Sequence, residues 1–270
     1  MRQGKVGRMG KDKSGQRDFS GKVALVTGGS RGIGREACRS FARGGARVAF
    51  LYRASVDEAG RTAAMVEEFG QKALAIQADV SNPSQVTAAV ERVLEEFGRI
   101  DVLVHAAGAM GNWKTVREME AEEWRRYIDV DLNGAFYVIS SVLRPMQAQG
   151  GGVIVAISSI ATQMCQARNA QGAAAKAGME ALIRVVAREE GRNGIRVNAV
   201  AVGLTETDMA NVAFERWGPE VSKRIVSGIP LGRIGTPEEV AEFAAFLASD
   251  EGAYFTGKVL QIDGGQFIGG

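Results

Sequence analysis

Seven short runs of this chain are apolar at nearly every position: KVALVT (22–27), ARVAFLY (46–52), KALAIQ (72–77), IDVLVHA (100–106), GVIVAIS (152–158), IRVNAVA (195–201) and KVLQID (258–263). A strand with one wet face alternates apolar and polar residues, so these continuous runs predict strands buried on both faces. Between them the apolar period becomes helical. In PSQVTAAVERVLEEFG (83–98), Val86, Val90, Val93, Leu94 and Phe97 recur at helical spacing, with Asn82 placed to cap the helix and Pro83 to occupy its first turn. Seven strands alternating with six helical connections predict a single α/β domain over residues 21–270. Its core is a doubly wound sheet of seven parallel strands with right-handed crossovers and helices on both faces. Residues 203–235 break the alternation with five glycines and two prolines, and are expected to be irregular, a candidate lid after the sixth strand. The stretch AEEWRRYIDVDLNGAFYVISSVL (121–143) reads as one helix with large apolar residues on more than one face. One sheet cannot cover all of them, which predicts a subunit interface.

Composition narrows the class without changing this picture. With 46% hydrophobic and 24% charged residues, the chain has the makeup of a soluble globular protein. Two cysteines, Cys38 and Cys165, make no disulfide framework, which points to a reducing compartment and a cytoplasmic location. One histidine and no cysteine cluster argue against a metal site. The net charge of +2 is uneven: residues 1–20 carry a net +4 and are read as a flexible basic tail. The body offers no basic patch, so no nucleic-acid partner is expected. No stretch reaches the ~18 uninterrupted apolar residues of a membrane span, and none is expected.

Candidate chemistry begins after the first strand. TGGSRGIG (27–34) runs from strand to helix with glycines at 28, 32 and 34, one residue away from the usual dinucleotide spacing. Such a turn lets the backbone approach a pyrophosphate that also meets the amides of a helix N-terminus. The predicted fold is therefore Rossmann-like, with Gly28, Ser30, Arg31, Gly32, Ile33 and Gly34 around the cofactor. NAD-preferring sites place an acid at the end of the second strand, whereas FLYRAS (50–55) has Arg53 there and no acid until Asp57. Arg31 and Arg53 suit a 2′-phosphate, so NADP(H) is the expected cofactor.

These residues, taken in order, resemble the short-chain dehydrogenase/reductase family. The resemblance rests on the glycine turn, Asp79-Val80 after the third strand, HAAG (105–108) after the fourth, Ser159 after the fifth, Lys176 in the next helix and VGLTETDM (202–209) after the sixth. It covers residues 20–268. The closing part, residues 229–265, is most similar to the 3-oxoacyl-carrier-protein reductase branch. The resemblance implies that Asp79 and Val80 contact the adenine and that Ala107 and Gly108 lie along the cofactor, Gly108 at the adenosine ribose. It also implies that the backbone at Thr205 holds the nicotinamide amide, that the Thr207 hydroxyl reaches the phosphates and that Lys176 bonds the nicotinamide ribose. Ser159 takes the family's serine role toward a carbonyl oxygen. A homotetramer built on the Lys176 helix, the 121–143 helix and the last strand follows by the same resemblance.

Three positions depart from the family pattern. The tyrosine expected four residues before Lys176, the family's proton donor, is Gly172, and the expected asparagine is Asp131. The proline expected after the sixth strand is Val202. Three readings stay open. The chain reduces a carbonyl of 3-oxoacyl type, with water, Lys176 or Asp131 as proton source; it reduces a conjugated C=C of enoyl type; or it is a silent cofactor-binding module. The expected substrate is a small molecule or acyl thioester, with Ser159, Lys176 and Asp131 as the candidate catalytic set.

Overall fold

The alternation recurs in a computed structural model, which describes residues 17–111 and 113–269. Strands β1 (Val23–Thr27), β2 (Arg47–Tyr52), β3 (Ala73–Gln77), β4 (Val102–His105), β5 (Gly152–Ser159), β6 (Ile195–Val202) and β7 (Val259–Ile262) form one sheet. The order is β3-β2-β1-β4-β5-β6-β7, and every neighbouring pair is parallel. The connections hold α1 (Gly32–Arg43), α2 (Val56–Glu67), α3 (Pro83–Phe97), α4 (Ala121–Tyr127), α5 (Gly134–Ala148), α6 (Ala161–Met164), α7 (Ala170–Glu190), α8 (Asp208–Ser227) and α9 (Pro237–Ala248). The chain reverses its direction of travel through the sheet between β1 and β4. Ligands bind such sheets in the crevice that this switch opens at the strand C-termini.

Two apolar layers flank the sheet, and β1 shows why both are needed. Val23 and Leu25 point into a core shared with α3, α5 and α7 through Val90, Val142 and Ile183. Ala24 and Val26 point the other way, toward Phe41 of α1 and Ala244 of α9. Central strands are dry on both sides, as their composition predicts. The outermost strands β3 and β7 are only half-buried, since one long edge of each lacks a neighbour. The Asn82 side chain accepts from the Ser84 and Gln85 amides, with Pro83 at the first helical position, as expected of the start of α3.

Two expectations change and a third gains detail. The stretch 121–143 is helical throughout, as expected, but its middle, Ile128–Asn133, is a π turn that joins α4 to α5 without a break. π turns insert a residue into the helical register and recur at functional sites. The 203–235 section is largely helical, because α8 fills 208–227. It is broken at Gly218, whose φ of 75° and ψ of 167° lie outside helical space. Finally, order begins ahead of residue 21. Phe19 is buried against Phe41 at a ring separation of 4.8 Å, and Arg17 pairs with Glu242 and Glu251. The rest of the expected basic tail, residues 1–16, lies outside the described residues.

Candidate active site

The glycine turn is built for backbone contact. Gly28 has φ +69°, and a Cβ there would come 3.0 Å from Ala107. A Cβ on Gly34 would sit 2.2 Å from the Gly28 carbonyl, so α1 leaves the strand along a path only glycine permits. Gly32 faces the Thr207 side chain, 3.3 Å from its own missing Cβ, and Ile33 packs into the core beside α1. The first turn of α1 carries no acidic residue and no side-chain cap. The Ser30 carbonyl is held from behind by the Arg35 guanidinium.

At the end of β2, Arg31 reaches across to the Ser55 hydroxyl at 2.8 Å and to Asp208 at 3.2 Å. Arg53 stands exposed at the same strand end, its carbonyl accepting from Gln77. Asp79 accepts from the Ser81 amide and hydroxyl, and Val80 is buried under Gly134. The Ala106 and Ala107 amides both donate to Thr27 Oγ1 at 3.1 Å, which fixes the backbone after β4. Thr205 is buried and bridges to Gly235, while the Thr207 hydroxyl caps α8 by accepting from Ala210.

The centre of the site is an ion pair. Lys176 Nζ lies 3.0 Å from Asp131 Oδ1 and donates to the Ile157 carbonyl at 3.0 Å. The other Asp131 oxygen accepts from the Ala109 amide at 2.8 Å. The π turn carries Asp131, and α7 comes close enough to meet it because of its small residues. A Cβ on Gly178, for instance, would lie 3.0 Å from Leu132. Gly108 borders the pair, its missing Cβ 3.1 Å from Asp131 Oδ1. Ser159 Oγ accepts from the Ala161 amide, whereas its neighbour Ser158 donates to buried Glu180 at 2.6 Å. Gly172 faces the tip of Asn169, 2.5 Å from where a Cβ would stand. Lys176 and Asp131 thus meet beside the Ile157 carbonyl, Ser159 ends the same strand β5 two residues further on, and Arg31 and Arg53 gather at the β2 end.

By sequence, Tyr127 falls one turn before Asp131 but offers no obvious substitute for the missing phenol, and Gln171 carries no signal of its own. Both are buried, and neither the Tyr127 hydroxyl nor either Gln171 amide atom has a hydrogen-bond partner among the described residues. The Glu123, Tyr127, Asp131 spacing was the available signal, because residues four apart share a helix face. Over the site, Trp113 meets Trp217 of α8 at a ring separation of 6.3 Å, with Phe214 6.0 Å from Trp217.

His105 sits at the end of β4, fully buried, with Nδ1 3.0 Å from Thr27 Oγ1. Burial, and secondarily the Lys176 charge, push its pKa down to about 3. The folded state therefore refuses a proton that the unfolded chain accepts below its ordinary value of about 6.5. Stability contributed by neutral His105 is full above that value and is lost as pH falls toward the folded one. Urea unfolding between pH 7 and pH 5 is expected to show a His105 contribution approaching ~1.4 kcal/mol per pH unit. The slope should flatten in His105→Asn; an unchanged slope would assign it elsewhere. Cys38 is buried, and burial pushes its thiol pKa up, so it is an unreactive packing group. No cluster of metal-ligating side chains occurs among the described residues, and no helix among them is long and apolar enough to cross a membrane.

A parallel sheet with a glycine turn at its switch point and an inward-facing lysine beside it defines a Rossmann-like oxidoreductase of the nicotinamide-dependent class. A family model described as enoyl-(acyl carrier protein) reductase matches residues 28–266, and the chain belongs to the short-chain dehydrogenase/reductase family. It is 42% identical to the 3-oxoacyl-(acyl-carrier-protein) reductase FabG of Chlamydia muridarum, over 90% of this chain and 96% of that one. The Escherichia coli K12 protein of the same name is 36% identical over 93% and 99%. Among solved structures, levodione reductase superposes with a TM-score of 0.89 at 33% identity, covering 92% of this chain and 98% of that one. A short-chain dehydrogenase from Burkholderia cenocepacia, in complex with NADP, gives 0.86 at 33% identity, covering 93% and 99%.

Proposed function

We propose that this chain is an NADPH-dependent reductase of acyl-thioester carbonyls of the 3-oxoacyl type, working without a phenol at position 172. The reading is carried by Lys176, whose ammonium is turned inward onto Ile157 and Asp131 beside Ser159. The names of the relatives supply the substrate class.

The residues present fit a bound dinucleotide. Side chains at Gly28 and Gly34 would collide with the backbone of Ala106, Ala107 and Gly28, so only glycines keep the tight turn a pyrophosphate approaches, and Gly108 leaves room beside the ion pair. When bound, the dihydronicotinamide supplies hydride to the substrate. Lys176 holds the ribose and places positive charge near the developing alkoxide. Ser159 Oγ already accepts from Ala161, so its own hydrogen remains to bind the carbonyl oxygen. Arg31, steered to the β2 end by Ser55 and Asp208, and Arg53 beside it supply the charge for a 2′-phosphate. Exposed Phe136 on α5 and Val185 on α7 support a homotetramer, and the protein is read as cytoplasmic.

NADPH oxidation across a panel of 3-oxoacyl and 2-enoyl thioesters tests the reading. Turnover of 3-oxoacyl substrates is expected. Turnover of 2-enoyl substrates alone would replace it with C=C reduction, in line with the description of the matching family model. No oxidation with any substrate would leave a cofactor-binding module. In fluorescence titration, NADPH is expected to bind more tightly than NADH. The double change Arg31→Gln, Arg53→Gln should weaken NADPH by about tenfold or more, since one charge-assisted bond is worth ~1.5–3 kcal/mol, and should leave NADH nearly unchanged. Equal losses for both cofactors would remove the 2′-phosphate assignment.

A further inference from the structure

Among four tyrosines, Tyr127 is the one buried, at 3% exposure. It ends α4, one turn before Asp131, and α4 packs against α7, which carries Gln171, Gly172 and Lys176. Its hydroxyl has no hydrogen-bond partner among the described residues, and neither amide atom of the neighbouring Gln171 has one. A buried hydroxyl or carboxamide left unpaired forfeits its hydration with nothing in return. Three such atoms brought together beside the ion pair mark a polar site awaiting a partner. Space has been kept for the phenol. A Cβ on Gly111 would stand 2.8 Å from the Tyr127 oxygen, so any other residue there would displace it.

The charged groups around the phenol suit a proton store. Asp131 and Glu123 flank it along the helix, and the Arg126 guanidinium lies 5.7 Å from its ring centre. Burial, first among the causes, raises its pKa above the ordinary tyrosine value; Gln171 works against that shift and Asp131 with it. The phenol therefore keeps its proton over the working pH range.

We propose that the Tyr127 hydroxyl, shut in beside the Gln171 carboxamide, is the proton source for carbonyl reduction, replacing from α4 the phenol that α7 lacks at Gly172. This rests on the carbonyl-reductase reading above. The proton crosses beside Gly172 through one water admitted with the substrate. As hydride adds to the carbonyl carbon, the carbonyl π pair becomes the new O–H bond of the alcohol. The Tyr127 O–H bond breaks, and bulk solvent re-protonates the phenolate after product leaves. Tyr127 positions and supplies the proton without touching the substrate.

The test compares wild type, Tyr127→Phe, Gly172→Tyr and the double variant with NADPH and a 3-oxoacyl thioester. Tyr127→Phe is expected to lower kcat about 100-fold, within the range for a general acid, with KM little changed. The solvent deuterium isotope effect on kcat should change with it. Gly172→Tyr in the Tyr127→Phe background should restore the rate, which a merely structural defect would not allow. The new side chain has to displace only the flexible tip of Asn169. As a readout apart from turnover, protein labelled with 3-fluorotyrosine should show the Tyr127 fluorine resonance shifting when a 3-oxoacyl thioester binds without cofactor. Should Tyr127→Phe fail to fold, Gly111→Ala moves the hydroxyl by the contact above and is expected to lower kcat about tenfold. A wild type without turnover defeats the carbonyl-reductase reading. An active wild type matched by Tyr127→Phe, or a Tyr127→Phe defect that Gly172→Tyr does not rescue, defeats the Tyr127 assignment alone.

Discussion

Lys176→Met is expected to abolish turnover and to destabilise the fold by about 3–5 kcal/mol, the usual cost of removing one member of a buried ion pair. The Asp131 side chain is only 5% exposed, and without Nζ it keeps a single partner, the Ala109 amide. A carboxylate left so placed has lost most of what compensated for its desolvation. Adding Asp131→Asn to Lys176→Met should recover most of the stability, since no buried charge remains, while activity stays lost. Urea unfolding and NADPH oxidation on the four proteins of this cycle check both halves. Wild-type stability in Lys176→Met would show that the lysine does not hold the aspartate's charge, and the site drawn around that pair would fall with it.

Gly34→Ala should be nearly as damaging, for a steric reason. The added carbon would stand 2.2 Å from the Gly28 carbonyl, a backbone atom that cannot rotate aside. Either α1 lifts from the sheet or the turn opens, at a cost on the order of 1–3 kcal/mol for overpacking. Both responses move the amides that face the cofactor. NADPH affinity is expected to fall about 100-fold, since misplacing two charge-assisted bonds costs ~3 kcal/mol or more. Gly60→Ala is the matched control, because Gly60 lies inside α2 with nothing within 4 Å of a new Cβ. That change should stabilise the protein by up to ~1 kcal/mol through helix propensity. Equal cofactor binding by Gly34→Ala and wild type would separate the turn from the cofactor site.

What could be read along the chain was whatever repeats locally. The seven strands, their parallel sense and the cap at Asn82 follow from runs and spacings that neighbouring residues impose on each other, and the structure places each within two residues of its expected bounds. The glycine turn was visible because it directly follows the first strand, and Lys176 and Ser159 because their order and spacing resemble the family's pattern. The 121–143 stretch is the expected helix, but its π turn went unread because such a turn leaves no strong mark in apolar spacing, only a shift of register. Gly218 misled in the opposite sense. It does break the helix, but residues on either side remain helical, and the other glycines and prolines behind the irregular reading, apart from Pro219, lie outside 208–227.

By itself, then, the amino-acid order determined the α/β architecture, the dinucleotide turn and the absence of a phenol at position 172, since these depend on residue type and short-range spacing. The tertiary structure alone decided that Asp131 and Lys176 meet at 3.0 Å, that Phe19 belongs to the core and that Tyr127 and Gln171 are shut in together without partners. The Phe19 outcome depends on its packing against Phe41 of α1, and the Asp131, Tyr127 and Gln171 outcomes on how closely α7 approaches α4 and the π turn. That distance is set by small residues and by the whole packed layer, which no local pattern encodes.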